Sequence, residues 1–220
     1  LADKYPNLSP YAYCAGNPVR LVDEDGREIE YNSLIDRIIV GLGYIFDKTF
    51  REKIKELKQS DESYVFFKDN NSIGSLKSER PFLGSDGKKI FINYFLTDKD
   101  KEGGETIFSV LKHETEHAVQ FEHGEIGFVN RNGHWTALAY DLSDEYNANE
   151  AMYRGHSFKT GQNHRIWTNS TKQEKIRALH NAYEYLHYDG TRGELSPINI
   201  PFPKRRQDDK VFVRPYTPRK

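Results

Sequence analysis

The chain has 220 residues, 32 of them Lys or Arg against 33 Asp or Glu, for a net charge of −1 and a mean hydropathy of −0.81. That balance offers no basic excess to grip nucleic-acid phosphates, and no apolar run reaches the ~18 residues a membrane span needs. The single cysteine, Cys14, excludes an internal disulfide and a cysteine-rich zinc site, so a zinc ion would have to be held by His and carboxylate. One domain with an appendage fits the length, and the 14 Tyr and 13 Phe are expected to supply much of its buried area.

Residues 1–26 read as short extended pieces joined by turns, with Pro6, Asn7, Pro10, Gly16, Asn17 and Pro18 preceding Asp23-Glu24-Asp25-Gly26. From Ser33, a fitting N-cap, to about Leu57 the apolar residues Leu34, Ile35, Ile38, Ile39, Leu42, Ile45 and Phe46 recur at helical spacing, with Gly41 and Gly43 as local weak points. Tyr64–Phe67 and Lys89–Leu96 read as strands bounded by Gly-, Ser- and Asp-rich stretches. A helix is expected from Glu105 to about Glu122, stopped by Gly124, and a short strand over Ile126–Val129. Further helices are predicted over Asp141–Arg154, with Ser143 near the start, and over Thr171–His187. From Ser196 onward five prolines and Lys204-Arg205-Arg206 predict an extended arm lying on the domain.

The chemistry concentrates in His113-Glu114-Thr115-Glu116-His117, inside the helix predicted over 105–122. Residues i and i+4 stack on one helix face, so the two imidazoles can reach one metal ion. Glu114 sits about 100° around the helix, beside the metal and not on it, where it can act as general base toward a water activated there. This is the HExxH pattern. Ile107, Val110, Leu111, Ala118 and Phe121 give the helix a buried face that can hold the histidines rigidly.

A catalytic zinc takes a third protein ligand and leaves one position open. Two candidates compete. Glu145 lies downstream in a predicted helix, with the small Ala148 on its face to let two helices approach; Glu150 points some 140° away on the same helix. His123 lies ten residues after His113, the spacing of HExxHxxGxxH, but Gln120 stands where that pattern turns on glycine. His134, Tyr140, Tyr153, Arg154, His156 and His164 are candidates for stabilising an oxyanion, Tyr153 and Arg154 foremost. The strand over 90–96 is a candidate edge for pairing with an extended peptide, and equally a candidate interior strand.

Two resemblances add to this reading. Residues 1–26 resemble the end of the Rhs (YD-repeat) associated core in Tyr11, Tyr13, Asn17, Pro18, Asp23, Asp25 and Gly26, with Glu24 where that family carries proline. In that family the core is succeeded by a variable toxin domain with a cognate immunity protein. Residues 27–220 are similar to toxin metallopeptidases of the gluzincin kind, in which a glutamate in an E-x-x-A helix lies downstream of HExxH. His113, Glu114 and His117 match, as does Glu145-Tyr146-Asn147-Ala148, and this favours Glu145 over His123.

The resemblances imply an α+β, zincin-like fold, with the HExxH helix packed under a small, mostly antiparallel sheet and lining a cleft beneath an edge strand. They imply a Zn2+-dependent endopeptidase acting on a target-cell protein, with an immunity protein and the Rhs shell of the full-length chain as partners. Delivery by a type VI or similar secretion system is implied with them. The competing readings are an Rhs toxin of other chemistry, such as a nuclease, or a non-catalytic metal-binding domain with an accidental HExxH.

Overall fold

The computed structural model describes residues 29–68, 80–154, 161–182 and 210–219. The Rhs-like segment 1–26, His156 and residues 196–209 of the arm lie outside them.

The first helical stretch is two helices. After a short strand β1 (Ile29–Tyr31), Ser33 caps α1 (Leu34–Phe46) by accepting from the Asp36 amide. The expected continuation to Leu57 breaks at Asp47, whose carboxylate caps α2 (Lys48–Gln59) by accepting from the Phe50 amide at 2.9 Å. An aspartate with backbone N–H groups in reach competes with the helix and starts a new one. Strands β2 (Ser63–Phe67), β3 (Phe82–Ser85) and β4 (Lys89–Asn93) come next, then the single-turn α3 (Asp98–Glu102) and the long α4 (Ile107–Glu122). A hairpin of β5 (Gly127–Arg131) and β6 (His134–Leu138) leads into α5 (Leu142–Tyr153). Helices α6 (Gln162–Asn169) and α7 (Lys172–Ala182) precede β7 (Lys210–Phe212).

The elements make an α+β arrangement of seven helices and two small sheets among the described residues. The four-stranded sheet runs β1-β2-β4-β3. It is not mostly antiparallel: β1 and β4 both run parallel to β2, and only β3 is antiparallel, to β4. The α1–α2 pair forms the crossover that returns the chain to the same end of the sheet, which is what parallel pairing requires. The three-stranded sheet, β6-β5-β7, is antiparallel throughout.

β2 and β4 are interior strands, which settles the two readings of 90–96 for the interior one: β3 takes the outer position, and it lies against α4. Burial on both faces explains their unbroken apolar sequences. Tyr64, Phe66, Ile90 and Ile92 face the main core with α2 and α4, and Val65, Phe67 and Phe91 cluster on the other face with Phe82. Residues 210–219 lie on the domain as expected of the arm. β7 adds to β5, and Arg214 pairs with Asp61 at 2.8 Å and Glu62 at 3.3 Å. Gly124, at φ +67°, lets the arm pass close: a Cβ there would sit 2.6 Å from the Arg214 carbonyl oxygen.

α1 is inside out. Its packing side carries Asp36, Val40 and Gly43, and a Cβ on Gly43 would lie 2.3 Å from the Phe108 ring. Ile39 and Tyr44 join Val40 against the core, and the other large apolar residues point away, Leu34, Ile35, Ile38, Leu42, Ile45 and Phe46 being 50–66% exposed. Asp36 is satisfied inside, accepting from the Lys68 amide at 2.7 Å and the Tyr94 hydroxyl at 2.8 Å. No helix of the described residues is long and apolar enough to cross a membrane.

Candidate metal centre

The HExxH helix α4 is set at its N-terminus by a capping box. The Ser109 amide donates to Thr106 Oγ1 at 3.1 Å and the Thr106 amide to Ser109 Oγ at 2.9 Å. Every residue from Ser109 to Phe121 is buried except His113. So deep a helix must pair its polar groups, and it does. Lys112 Nζ reaches Asp47 Oδ2 at 2.9 Å and also donates to the Arg154 carbonyl. Glu116 meets Lys53 Nζ at 2.5 Å on one side and the guanidinium of Arg219 on the other. Arg219 in turn holds Glu125 through Nε at 2.7 Å and Nη2 at 2.9 Å. Lys112 and Glu116 thus fix the depth and roll of the helix while His113 and His117 face elsewhere.

α5 packs directly on α4. Asp141 caps it, accepting from the Ser143 amide at 2.7 Å, and its own amide donates to Asp144 Oδ2 at 2.9 Å. Ala148, one turn on from Glu145, is fully buried, and the packing of α5 on α4 brings Glu145 to the histidines. His113 Nε2 and His117 Nε2 are 3.1 Å apart. Glu145 Oε2 lies 3.4 Å from the first and Glu145 Oε1 3.9 Å from the second. The three ligand-type atoms fall within 4.8 Å of one another, and no fourth His, Cys, Asp or Glu of the described residues joins the group.

Two residues orient this set. His117 Nδ1 is 2.6 Å from Gln120 Oε1, so Nδ1 carries the proton and Nε2 presents its lone pair. Gln120 is fully buried and donates through Nε2 to the Asp144 carbonyl at 2.9 Å. One amide therefore ties a histidine of α4 to the backbone beside Glu145 on α5. Tyr140 donates its hydroxyl to Glu145 Oε1 and sets its ring edge-on to His117, 5.4 Å between centroids.

The electrostatics fit a cation. Burial pulls the His113 imidazole down, but the Glu145 carboxylate beside it outweighs that and lifts it to about 9. Burial, then the charge on His113, drops His117 to about 4. Burial works against the Glu145 carboxylate, and His113 holds it at about 2 all the same. Glu114 is pushed up to about 8 by burial, with the negative charge of Glu145 adding to it. Glu114 Oε2 is buried without a hydrogen-bond partner, and Glu145 Oε2 has only the 3.4 Å approach of His113. Native interiors rarely leave such atoms unsatisfied without a functional reason. Two imidazole nitrogens and a carboxylate oxygen, converging around orphaned buried oxygens, form a donor set suited to zinc.

The chain matches no protein-family model, no curated protein and no solved structure.

The other candidates from the sequence fall away from the centre. His123 is the C-cap of α4, with Nε2 at 2.7 Å from Glu56 and Nδ1 at 2.8 Å from the Thr217 carbonyl, so it is not a ligand. Glu150 takes the Trp167 indole at 3.0 Å and Lys175 at 2.7 Å. Tyr153 donates to Glu105 at 2.6 Å and packs on His164 and Trp167. Arg154 and His134 are exposed. Of the oxyanion candidates among the described residues, Tyr140 is the one whose contacts place it on the triad. In the sequence Gln120 stands out only as a missing glycine. Its spacing of three from His117, one helical turn, is the signal that marks it as a partner of that histidine.

Proposed function

We propose that residues 27–220 form a zinc-dependent endopeptidase of zincin-like fold, and that the chain is the C-terminal end of an Rhs-type toxin. The observation that carries the peptidase reading is the convergence of His113, His117 and Glu145 beside a buried Glu114 whose Oε2 has no protein partner. A zinc ion held by those three would supply Lewis-acid activation of a water and of the scissile carbonyl.

The chain's own residues do the rest. Glu114 takes the proton of the attacking water at Oε2 and passes it to the leaving amine. Gln120 keeps the His117 tautomer fixed, and the Tyr140 hydroxyl fixes one oxygen of Glu145. β3, the outer strand of its sheet and packed against α4, is where an extended peptide would add by strand pairing.

The toxin part of the reading rests on the Rhs-like residues 1–26. It carries with it a target-cell substrate, an immunity protein and delivery by a type VI or similar apparatus. The test is expression of the chain inside a bacterial cell beside its Glu114→Gln variant. Toxicity with the native residue and none with glutamine, at equal folded protein and equal bound metal, supports the proposal. A fully toxic variant overturns the role given to Glu114.

A further inference from the structure

We propose that Arg219 is a positioning residue of the metal centre, carried by the arm across the end of α4 to brace Gln120 and, through it, His117 and Glu145. The proposal rests on the reading of His113, His117 and Glu145 as a zinc site.

Two carboxylates that α4 cannot satisfy by itself begin the brace. Glu116 and Glu125 are 5% and 4% exposed. Lys53 pairs with the first, while among the described residues the ion-pair partner of Glu125 is Arg219. The Arg219 guanidinium spans both, with Nη1 on Glu116 and with Nε and Nη2 on the two oxygens of Glu125 at 2.7 and 2.9 Å. A planar fork can hold two carboxylates at once where a lysine ammonium is a point charge. A buried carboxylate that loses its cation must neutralise or turn toward water. The end of α4 is therefore held in place by the arm.

Both carboxylates are tied to Gln120. Glu116 precedes it by four residues and so lies on the same helix face. Glu125 reaches it through the helix end. The Glu125 amide donates to the Gln120 carbonyl at 2.9 Å and the Gly124 amide to the Phe121 carbonyl at 2.9 Å, with Gly124 at φ +67°. These are the two bonds of a Schellman motif, and Gln120 supplies the acceptor of the longer one. Arg219 thus grips a residue one turn ahead of Gln120 and the residue that closes the helix end onto it. The Gln120 side chain is the link between His117 Nδ1 and the backbone beside Glu145. Displacement of the last turn of α4 is passed through it to both.

The arm is itself fixed. β7 pairs with β5, Phe212 packs on Phe121 with 5.1 Å between ring centroids, and the Thr217 amide donates to the His123 carbonyl at 2.9 Å. Arg214 is the natural comparison. It belongs to the same arm and pairs with Asp61, Glu62 and Glu122 at 2.8, 3.3 and 3.4 Å. Glu122 in turn holds Ser60 and Tyr64, so this second anchor runs to α2 and β2 and not to Gln120.

Chelator competition for zinc and urea unfolding of the metal-free full chain separate the two arginines. Arg219→Met keeps an aliphatic stem where the native side chain is 30% exposed, and should lose at least ~10-fold in zinc affinity, as loss of an outer partner does. Arg214→Met should lower stability yet keep zinc affinity within ~3-fold of native. Arg219→Lys keeps the charge without the fork; it serves if the methionine variant does not fold, and should still lose at least ~3-fold. Nitrogen NMR of the His117 ring in the metal-free chain should show one Nδ1–H tautomer in the native and Arg214→Met proteins and a mixture in Arg219→Met. That readout needs no zinc, so it decides on the brace even if the native chain has no affinity for zinc, a result that would refute the metal reading alone. Native zinc affinity in either Arg219 variant, an unchanged His117 ring in Arg219→Met, or an equal loss of affinity in Arg214→Met overturns the proposal.

Discussion

Gln120→Leu is the perturbation that separates the metal centre from the helices that carry it. Leucine has nearly the volume of glutamine but neither accepts from His117 Nδ1 nor donates to the Asp144 carbonyl, bonds of 2.6 and 2.9 Å in the native protein. The substitution strands an imidazole N–H and a carbonyl in a fully buried site, at a cost of ~1–3 kcal/mol each. Without its acceptor the His117 ring is free to turn or change tautomer, and loss of such an outer partner weakens metal binding by ~10–100-fold, or about 1.4–2.7 kcal/mol. Gln120→Glu keeps an acceptor for Nδ1 and loses only the donor to Asp144. It should therefore lower unfolding stability while keeping zinc affinity within ~3-fold of native. The assay is competition with a chromophoric chelator for zinc, paired with urea unfolding of the metal-free proteins. A leucine variant that binds zinc as tightly as the native chain would refute the role given to Gln120. So would a glutamate variant that loses as much affinity as the leucine one.

Three further outcomes are expected. Glu116 is held at about 2, burial being outweighed by Lys53 and Arg219, against an ordinary 4.5. Its folded form is favoured by up to ~3 kcal/mol above pH 4.5, and this contribution is lost as the pH falls toward 2. Metal-free Glu116→Gln should thus be less stable than native at pH 7, with the gap narrowing as the pH falls through 4 to 3 in urea titrations; a gap that stays constant would contradict the sign. Gly43→Ala should cost at least ~2 kcal/mol by differential scanning calorimetry, because the added methyl meets Phe108 at 2.3 Å and Phe50 at 2.9 Å. His123→Ala should leave zinc affinity unchanged in the chelator competition, where Glu145→Ala should reduce it by at least ~100-fold; a large effect of His123 would restore it as a ligand.

Much of the centre was legible because it is local. The four-residue spacing of His113 and His117 is a one-turn relation that the helix period places, whereas Glu145 is singled out over His123 by the E-x-x-A resemblance and reaches the histidines only through the packing of α5 on α4. The features that escape a sequence reading depend on partners distant along the chain. The 33–57 stretch reads as one helix until Lys112, far along the chain, is seen to pair with Asp47 at the break. The stripe of α1 shows its period but not its side, because Asp36 is drawn inward by Tyr94 and Lys68. β1 has three residues and no alternation to detect, and its parallel partner lies beyond two helices. β6 escapes notice because its residues are mostly exposed, and α6 because only Trp167 of its eight residues is buried. Glu116 looks like a solvated acid inside the motif until the arm brings Arg219 to it.

The central claim is that His113, His117 and Glu145 bind one catalytic zinc and leave it open to substrate. Metal analysis with zinc K-edge absorption on the purified chain tests this most directly. The expected result is one zinc per chain, two imidazole nitrogens at ~2.0–2.1 Å, oxygen ligands completing the shell, and loss of the metal in His113→Ala/His117→Ala. A chain with no affinity for zinc, or a zinc closed by four protein ligands, would contradict it.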